Sequence, residues 1–434
     1  MKPASKKYDP IVIGLAIFAM FFGAGSLIFP PYLGMTAGTQ WPVGFVCFFL
    51  TDIGLAFVTI VAMVKGDGTM SGITGVIGKV PSVIINTVVL VCIGPLFVVP
   101  RSAATTYEMT IVPLVPQMNL LIFTIIFFGI VLILAIRRSR LVDVIGKYLT
   151  PIMVVALVIL IAVGVAAPLG EVVAPASENI AKDGIIAGYQ AMDVLGALTV
   201  AIVVVATVTQ RGYLEKKMQV SITGKACLIS GFMLLLVYCG LTYLGATASM
   251  EYDLASVNQA SLIVAITNDL LGFYGTLLLG IIVALASLTT AVGVASAVAA
   301  YFETLLGGRV SYNIIITVII VFSTVVANFG LTTIISFAEP ILSVVYPTVI
   351  TLIIMSFFRG KIKNRNTYKG ATLVAFIMSV CTVLNNYGVS IGFIEKMPLA
   401  EFGFEWIIPT VIGGIIGSLI KTKGSVCSNS AEAS

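Results

Sequence analysis

The sequence contains no histidine and few charged residues: Asp, Glu, Lys and Arg make up 10% of its 434 residues. Soluble domains are about 25% charged, so a water-soluble protein of this size could not cover its surface with this composition. The missing histidine excludes Ser-His-Asp catalysis, histidine metal sites and histidine proton relays. Hydrophobic residues make up 59% of the chain, which predicts an all-α polytopic membrane protein.

The six cysteines show no CxxC spacing and mostly lie within apolar runs. We interpret them as small hydrophobic side chains, because neither a metal site nor a redox pair is indicated. No metal-ligand cluster, nucleophile–base pair or channel-type carbonyl filter is visible, so the sequence predicts neither an enzyme nor a channel. The net charge of +5 does not indicate a nucleic-acid partner, because its distribution over loops matters more than its sum.

Long apolar runs recur along the whole chain. A membrane-spanning helix needs about 20 apolar residues. Such runs predict about twelve spans, near 11–33, 42–64, 82–106, 119–136, 149–168, 185–209, 224–245, 271–301, 312–329, 334–358, 370–387 and 406–421. The first run follows lysines, as in a signal peptide, but it is too long and predicts a retained helix. We expect one transmembrane domain over 1–423 and a disordered cytoplasmic tail over 424–434.

The basic residues indicate the orientation in the membrane. If the N-terminus is cytoplasmic, all of the 24 Lys and Arg residues except Arg101, Lys182 and Lys396 fall in cytoplasmic loops. Lys and Arg are enriched in the cytoplasmic loops of membrane proteins. We therefore expect both termini to be cytoplasmic.

The first span contains residues that interrupt a helix. Gly23 and Gly25 weaken it, and the Pro-Pro pair at 30–31 removes backbone donors. In a bilayer, freed backbone groups are tolerated where they line a polar cavity. The interruption therefore predicts a ligand site, in which amides around Ala24 to Ser26 face an anionic group and carbonyls around Ala19 to Phe22 suit a cation. The alternative is that Gly-x-Gly only permits close helix packing.

The sixth span, GYQAMDVLGAL at 188–198, contains Asp193 and Gly196 and lies five spans after the first interruption. Spans 1 and 6 then run in opposite directions. Interrupted helices at matching positions of two five-span halves are typical of inverted-repeat transporters. We expect two repeats followed by two extra helices, at about 10–168, 184–358 and 369–421.

The eighth span contains a hydroxyl cluster, Ser287, Thr289 and Thr290, within an apolar helix. Hydroxyls together with freed carbonyls supply the oxygen ligands that a hard cation such as Na⁺ prefers. The alternative is that these side chains bond back to carbonyls one turn earlier, which is common in membrane helices.

Four charged residues fall within predicted spans: Asp52, Arg101, Asp193 and Glu339. An unpaired charge at mid-depth costs at least about 2.5–3.5 kcal/mol, so such residues indicate function or a buried pair. We interpret Arg101 and Glu339 as candidates for an outer gate. Asp193 is expected to organise the second interruption or to face a substrate ammonium, and Asp52 is interpreted as structural.

Four motifs resemble those of the bacterial branched-chain amino acid:cation symporters, a family within the amino acid-polyamine-organocation type superfamily. They are FFGAGSLIFPP (21–31), IGPLFVVPRSAATTYE (93–108), GYQAMDVLGAL (188–198) and ASLTTAVG (286–293). The likeness extends over nearly the whole chain and includes its length and number of spans. One departure is Ser26, where the family usually has Asn.

The resemblance implies a fold of five-plus-five inverted repeats with discontinuous helices 1 and 6 and two extra C-terminal helices. It implies a coupling Na⁺ held by carbonyls and hydroxyls of Ala19, Phe22, Ala286, Thr289 and Thr290. It implies a substrate carboxylate at Ala24, Gly25 and Ser26. The ammonium would lie at Asp193 and the carbonyls of Val194, Leu195 and Gly196, and Phe97 and Val98 would form an apolar wall.

The function that follows is a secondary active symporter in the bacterial cytoplasmic membrane. It would import leucine, isoleucine and valine together with Na⁺ by alternating access, with no organic cofactor and no nucleic-acid partner, and its partners would be these amino acids and the lipid bilayer. The alternative is a proton-coupled amino-acid symporter of the same fold, with Asp193 as the titratable group. The sequence ranks neither the three amino acids nor the ion stoichiometry, and it does not specify an oligomeric state.

Overall fold

A computed structural model describes residues 8–136, 141–389, 391–394 and 396–420; the predicted tail at 424–434 lies outside them. The described residues are mostly helical and contain no β-strand. Seven helices are long and apolar enough to cross a membrane, and five shorter apolar helices accompany them. The predicted all-α polytopic fold is confirmed.

The first half of the chain forms five spans, three of which are interrupted. Their helices are α1 (Asp9–Phe21), α2 (Ala24–Leu27), α3 (Phe29–Ala37), α4 (Trp41–Phe49), α5 (Leu55–Lys65), α6 (Met70–Thr74), α7 (Lys79–Val91), α8 (Val98–Thr106), α9 (Val112–Leu114), α10 (Leu120–Ile136) and α11 (Leu141–Ala166). Short α2 continues the first span, and short α6 lies in the connection between the second and third spans.

The second half repeats this organisation and adds two helices. Its helices are α12 (Ile180–Ala191), α13 (Asp193–Gln210), α14 (Lys216–Thr247), α15 (Gln259–Leu305), α16 (Tyr312–Ala327), α17 (Leu331–Ser356), α18 (Arg365–Asn386) and α19 (Ile407–Leu419). The long α15 is broken at Gly272, where φ is 65°. The eighth span therefore begins just after this glycine, close to the predicted start at 271.

Two close approaches position the first span. A Cβ built on Gly34 of α3 would lie 1.8 Å from the carbonyl oxygen of Thr242 in α14, and one built on Gly245 would lie 1.8 Å from the carbonyl oxygen of Pro31. A methyl group does not fit at either distance, so both glycines are required for this packing. The resulting contact holds the second part of the first span firmly against α14.

The outer surface of the bundle is apolar, as a bilayer requires. On α10, Ile122, Ile125 and Ile126 are more than half exposed, whereas Phe123 and Phe127 are buried against the bundle. Exposed apolar surface of this kind is rare on soluble proteins and marks a membrane or protein contact. The structure therefore agrees with the composition in placing these helices in lipid.

Candidate functional site

The first span is broken at the predicted Gly-Ala-Gly-Ser stretch. Helix α1 ends at Phe21, Phe22 and Gly23 have extended backbone with ψ of 90° and 168°, and α2 starts at Ala24. Because the last carbonyls of one helix and the first amides of the next have no intrahelical partner, the break presents both kinds of group at one point. The predicted discontinuity of helix 1 is confirmed.

The groups predicted to bind ion and carboxylate lie on the two sides of this break. The carbonyls of Ala19 and Phe22 belong to the end of α1, and the amides of residues 24–26 belong to the first turn of the second part. The hydroxyl of Ser26 is buried and donates to the carbonyl oxygen of Phe21 at 3.4 Å. Carbonyl oxygens suit a cation, and amides at a helix start suit an anion.

The sixth span is broken one residue before Asp193. Met192 connects α12 to α13 in the left-handed conformation, with φ of 68° and ψ of 15°. For a residue other than glycine this conformation costs about 1–2 kcal/mol and persists where surrounding structure enforces it. Met192 is 2% exposed, so packing holds it in place. The predicted discontinuity of helix 6 is also confirmed.

Arg101 caps the second break. Its Nη1 donates to the carbonyl oxygen of Gln190 at 2.6 Å and its Nη2 donates to that of Ala191 at 3.1 Å. These carbonyls end α12, where the helix dipole is negative. The guanidinium also lies over the ring of Phe29, 5.4 Å from its centroid. Buried Arg101 therefore fixes the geometry of the break; its predicted role in a gate stays a prediction.

Glu339 is connected to Arg101 through one residue. The side-chain Nε2 of Gln190 donates to Oε2 of Glu339 at 3.0 Å, while the Gln190 carbonyl accepts from Arg101. The two predicted gate residues thus lie on opposite sides of Gln190, joining the third, sixth and tenth spans. Glu339 itself is exposed.

The substrate-binding residues predicted in the sixth span differ in their surroundings. Oδ2 of Asp193 is buried without a hydrogen-bond partner among the described residues, and this carboxyl lies near the Ser26 hydroxyl. Val194, Leu195 and Gly196 form the first turn of α13, where the Gly196 amide donates to the Met192 carbonyl at 2.9 Å and the carbonyl oxygens point along the helix. The carbonyls that this break frees belong instead to the end of α12.

The hydroxyl cluster of the eighth span meets the first break. A Cβ built on Gly23 would lie 3.5 Å from Oγ1 of Thr290. Thr289 donates from Oγ1 to the carbonyl oxygen of Ala286 at 2.8 Å, which is the bond back to the preceding turn that was the alternative for this cluster; the role of Thr289 and Ala286 as ion ligands stays a prediction. Oγ of Ser287 is buried without a partner in the described parts of the chain. Thr290 is thus the hydroxyl of the cluster that the described contacts bring to the first break.

Phe97 and Val98 lie at a third break that the sequence analysis missed. A π-helical turn, Cys92–Leu96, contains non-helical Gly94 followed by Pro95, and α8 begins again at Val98. Helix α8 packs against α2, which brings these side chains beside the first break. The Gly-Pro pair was the visible signal, since proline removes a helix donor and glycine tolerates the kink.

A polar contact joins the two broken spans on the side of the membrane where the chain begins. Arg211, just after α13, pairs with Asp9 at the start of α1. The hydroxyl of Tyr213 donates to the other oxygen of Asp9 at 2.9 Å, and Gln219 donates to the Tyr213 carbonyl at 2.8 Å. This contact was also missed, because nothing in the local sequence indicates that Asp9 and Arg211 meet.

Solved transporters share the fold of this chain. The structure superposes on Mhp1, a nucleobase-cation-symport-1 family transporter, in its inward-facing conformation, with a TM-score of 0.64, 14% identity and coverage of 94% of this chain and 90% of Mhp1. It also matches MhsT in complex with L-phenylalanine, with a TM-score of 0.53, 14% identity and coverage of 96% and 98%. At this identity the likeness establishes the fold alone, a five-plus-five transporter fold with two extra helices.

Sequence relatives are more specific. Residues 6–424 match the family described as "Branched-chain amino acid transport protein". The branched-chain amino acid permease BrnQ of Bacillus subtilis is 34% identical over 432 residues, covering 96% of this chain and 98% of the permease. The protein is therefore a membrane transporter of amino acids and not an enzyme. The chain belongs to the branched-chain amino acid transport protein family.

Proposed function

We propose that this protein is a Na⁺-coupled symporter that imports leucine, isoleucine and valine across the bacterial cytoplasmic membrane by alternating access. The observation that carries the proposal is the meeting of the first break with the hydroxyls of the eighth span at Gly23 and Thr290. A hard-oxygen donor set next to helix-start amides, of which that of Ser26 also donates to the Gly23 carbonyl at 3.1 Å, accommodates a small cation and a carboxylate side by side.

The substrate is a zwitterion with an apolar side chain, and the site offers a group for each part. Its carboxylate meets the amides of Ala24, Gly25 and Ser26, and its ammonium meets the buried Oδ2 of Asp193. Phe97 is 2% exposed and Val98 is partly buried, so a substrate side chain placed beside them is removed from contact with water. Each buried CH₂ contributes about 0.8 kcal/mol, which favours branched aliphatic side chains over alanine or glycine.

The coupling ion is proposed to lie between the carbonyls of Ala19, Phe22 and Ala286 and the hydroxyls of Thr289 and Thr290. Moving one charge through 100 mV releases about 2.3 kcal/mol, and a tenfold Na⁺ gradient adds about 1.4 kcal/mol. The zwitterion carries no net charge against this force. One Na⁺ therefore suffices to accumulate the amino acid several hundredfold.

The distribution of basic residues supports cytoplasmic termini for this symporter. On that orientation the contact between Asp9 and Arg211 closes the cytoplasmic side, and the connection of Arg101 to Glu339 lies towards the outer side. We propose repeats at about 10–168 and 184–358 with added helices at about 369–421, all within one domain over 1–423.

The ion site is tested by Thr290→Val, which removes one oxygen and keeps the shape of the side chain. Loss of one ligand is expected to raise the Na⁺ concentration for half-maximal leucine uptake by more than about tenfold, or about 1.4 kcal/mol. Thr317→Val on α16 is the matched control, because Thr317 only donates to the Asn313 carbonyl of its own helix. An unchanged Na⁺ requirement in Thr290→Val would remove the eighth span from the ion site.

A proton-coupled symporter of the same fold is the second candidate, because a carboxyl, Asp193, adjoins the second break. The two are separated by measuring uptake into proteoliposomes at fixed pH with choline in place of Na⁺. Sodium coupling predicts loss of concentrative uptake under these conditions. Undiminished uptake would favour the proton.

A further inference from the structure

Asp52 is the most deeply buried carboxyl among the described residues. It lies on a π-helical turn, Leu50–Gly54, between α4 and α5, and its side chain is 0% exposed. Both carboxyl oxygens lack a hydrogen-bond partner among the residues described, although the backbone amide of Asp193 lies nearby. An unpartnered buried carboxylate is costly, and π-helical turns are frequent at functional sites.

Asp52 interacts electrostatically with groups from four other spans. The charged groups are Asp193 of α13 and Arg101 of α8. The phenols of Tyr238 in α14 and Tyr346 in α17 also interact with it, and the turn itself packs against α13 and α14. Both tyrosines are 0% exposed, and neither hydroxyl has a hydrogen bond of normal geometry within the described ranges, although the Ser26 hydroxyl lies near that of Tyr238. These unsatisfied hydroxyls are a second observation, independent of the carboxyls, that points to a bound species here.

Two elements that pack around this turn contribute no further charge to the cluster. From α12, Tyr189 stacks on Tyr346, with ring centroids 4.5 Å apart. From α4, Cys47 packs against Gly184, and Thr51 donates back to the Cys47 carbonyl at 2.7 Å. We call Asp52, Arg101, Asp193, Tyr238 and Tyr346 the acidic cluster.

The charges of the acidic cluster do not balance. Two ionised carboxylates and one guanidinium leave one negative charge in excess. Arg101 is also engaged with two carbonyls at the end of α12, so its charge is already shared with that helix dipole. An uncompensated charge in a membrane interior costs several kcal/mol. The cluster therefore requires one positive charge in every state in which it is closed to water.

A proton meets this requirement better than a second metal ion. The two freed carbonyls that a metal ion would use are occupied by Arg101, whose own charge repels another cation. Hydroxyls such as those of Tyr238 and Tyr346 donate to a carboxylate and accept from a carboxylic acid, so they serve both protonation states. Asp193 lies at the positive start of α13, whereas Asp52 is fully buried and neither of its carboxyl oxygens has a partner in the described parts of the chain, so we assign Asp52 as the proton carrier.

We propose that Asp52 carries one proton while no substrate is bound and that the ammonium of the incoming amino acid replaces this proton. This inference rests on the proposed function, in which the ammonium meets Asp193. Charge balances in both states: the ammonium brings one positive charge to the acidic cluster, and the Asp52 carboxyl releases one proton to water. Substrate binding is thus coupled to proton release at a site separate from the Na⁺ site.

The proton is counted by calorimetry on the full chain in lipid nanodiscs. Leucine is titrated at saturating Na⁺ in two buffers of different ionisation enthalpy, between about pH 5 and pH 9. At pH values where Asp52 is protonated, we expect one proton to be released for each leucine that binds. In this range the leucine Kd therefore falls about tenfold for each unit by which the pH rises. Absence of proton release across this range in the unmodified chain would overturn the proposal.

Asp52→Asn keeps the shape of the protonated carboxyl and removes its titration. It is expected to bind leucine more weakly than the unmodified chain, because the amide that replaces the carboxyl cannot offset the charge of the ammonium, and to do so without proton release and with a pH-independent Kd, while its Na⁺ dependence persists. Asp253→Asn, the same change at an exposed carboxyl, is the control and is expected to release the proton as the unmodified chain does. Proton release on leucine binding to Asp52→Asn would overturn the assignment of Asp52 as the proton carrier. A lowered Na⁺:leucine ratio in this variant would also overturn it, because Asp52 would then be a Na⁺ ligand.

Tyr346→Phe gives a second test that keeps the carboxyl in place. Loss of the hydroxyl is expected to shift the pH of half-maximal proton release without changing the Na⁺ requirement; an unshifted pH would contradict the role of the acidic cluster. The proposed function is contradicted by a different result, which is leucine binding that does not depend on Na⁺. The number of protons released still decides the proposal on Asp52 in that case.

Discussion

The contact of Asp9 with Arg211 and Tyr213 is predicted to hold the two broken spans together on the N-terminal side of the membrane. Opening that side requires α1 to leave α13, so the contact must break in each transport cycle. Asp9→Asn removes the charge but keeps an oxygen that accepts from the Tyr213 hydroxyl. The variant therefore isolates the ion pair from the rest of the contact.

The size of the effect follows from the burial of the two partners. The side chain of Asp9 is 4% exposed, whereas that of Arg211 is 29% exposed and partly solvated. Breaking a fully buried pair costs about 3–5 kcal/mol, and an exposed pair contributes under about 1 kcal/mol. Because one partner reaches water, we expect the loss of this ion pair to destabilise the closed state by about 1–2 kcal/mol. This shifts the ratio of open to closed molecules about 5- to 30-fold.

Amide hydrogen exchange measures this shift directly. In nanodiscs, exchange of the α1 amides is expected to rise about 5- to 30-fold in Asp9→Asn, while the amides of α14 serve as an internal reference. Asp67→Asn is the matched control, because Asp67 is exposed and accepts only from Thr69. If α1 exchanges at the same rate in both variants, the pair does not control opening and the reasoning is refuted.

Two further predictions concern packing and the second break. Gly245→Ala should destabilise the protein by about 1–3 kcal/mol, because the added methyl group clashes with the Pro31 carbonyl. Thermal unfolding measures this, with Gly224→Ala as the control, because nothing lies within 4 Å of a Cβ at Gly224. Equal melting temperatures of the two variants would contradict the prediction. Arg101→Lys should reduce the initial rate of leucine uptake more than tenfold, because an ammonium does not reproduce the planar two-point contact with the end of α12. Unimpaired uptake at equal expression would show that this cap is dispensable.

The two helix breaks were predictable because their causes are local. Gly23 lowers helix stability at its own position, and free backbone groups in a bilayer indicate a cavity whatever the tertiary structure. The prediction for the sixth span gave the stretch 188–198 without the residue that makes the turn, because this residue is Met192 and nothing in a methionine indicates a left-handed conformation. The packing around Met192 enforces this conformation, and the packing comes from residues far away in the sequence, so the local sequence does not indicate it.

The acidic cluster was not predictable for the same reason. Asp52 looked like an isolated charge in the second span, and its partners come from the third, sixth, seventh and tenth spans. No spacing in the sequence relates Asp52 to Tyr346, which lies nearly 300 residues later. Contacts of this kind follow from the topology of the two repeats, which the breaks indicate without specifying the side chains that meet.

Arg101 makes the two breaks chemically unequal, and this bears on where a mobile cation binds. Both breaks end a helix with free carbonyls, so backbone geometry alone would offer two equivalent cation sites. At the second break the Arg101 side chain occupies the carbonyls of Gln190 and Ala191. At the first break the hydroxyl of Thr290 approaches Gly23 and no side-chain cation caps the break within the described residues. A fixed charge at one break thus directs the exchangeable ion to the other, which is why the proposed Na⁺ site pairs the first span with the eighth.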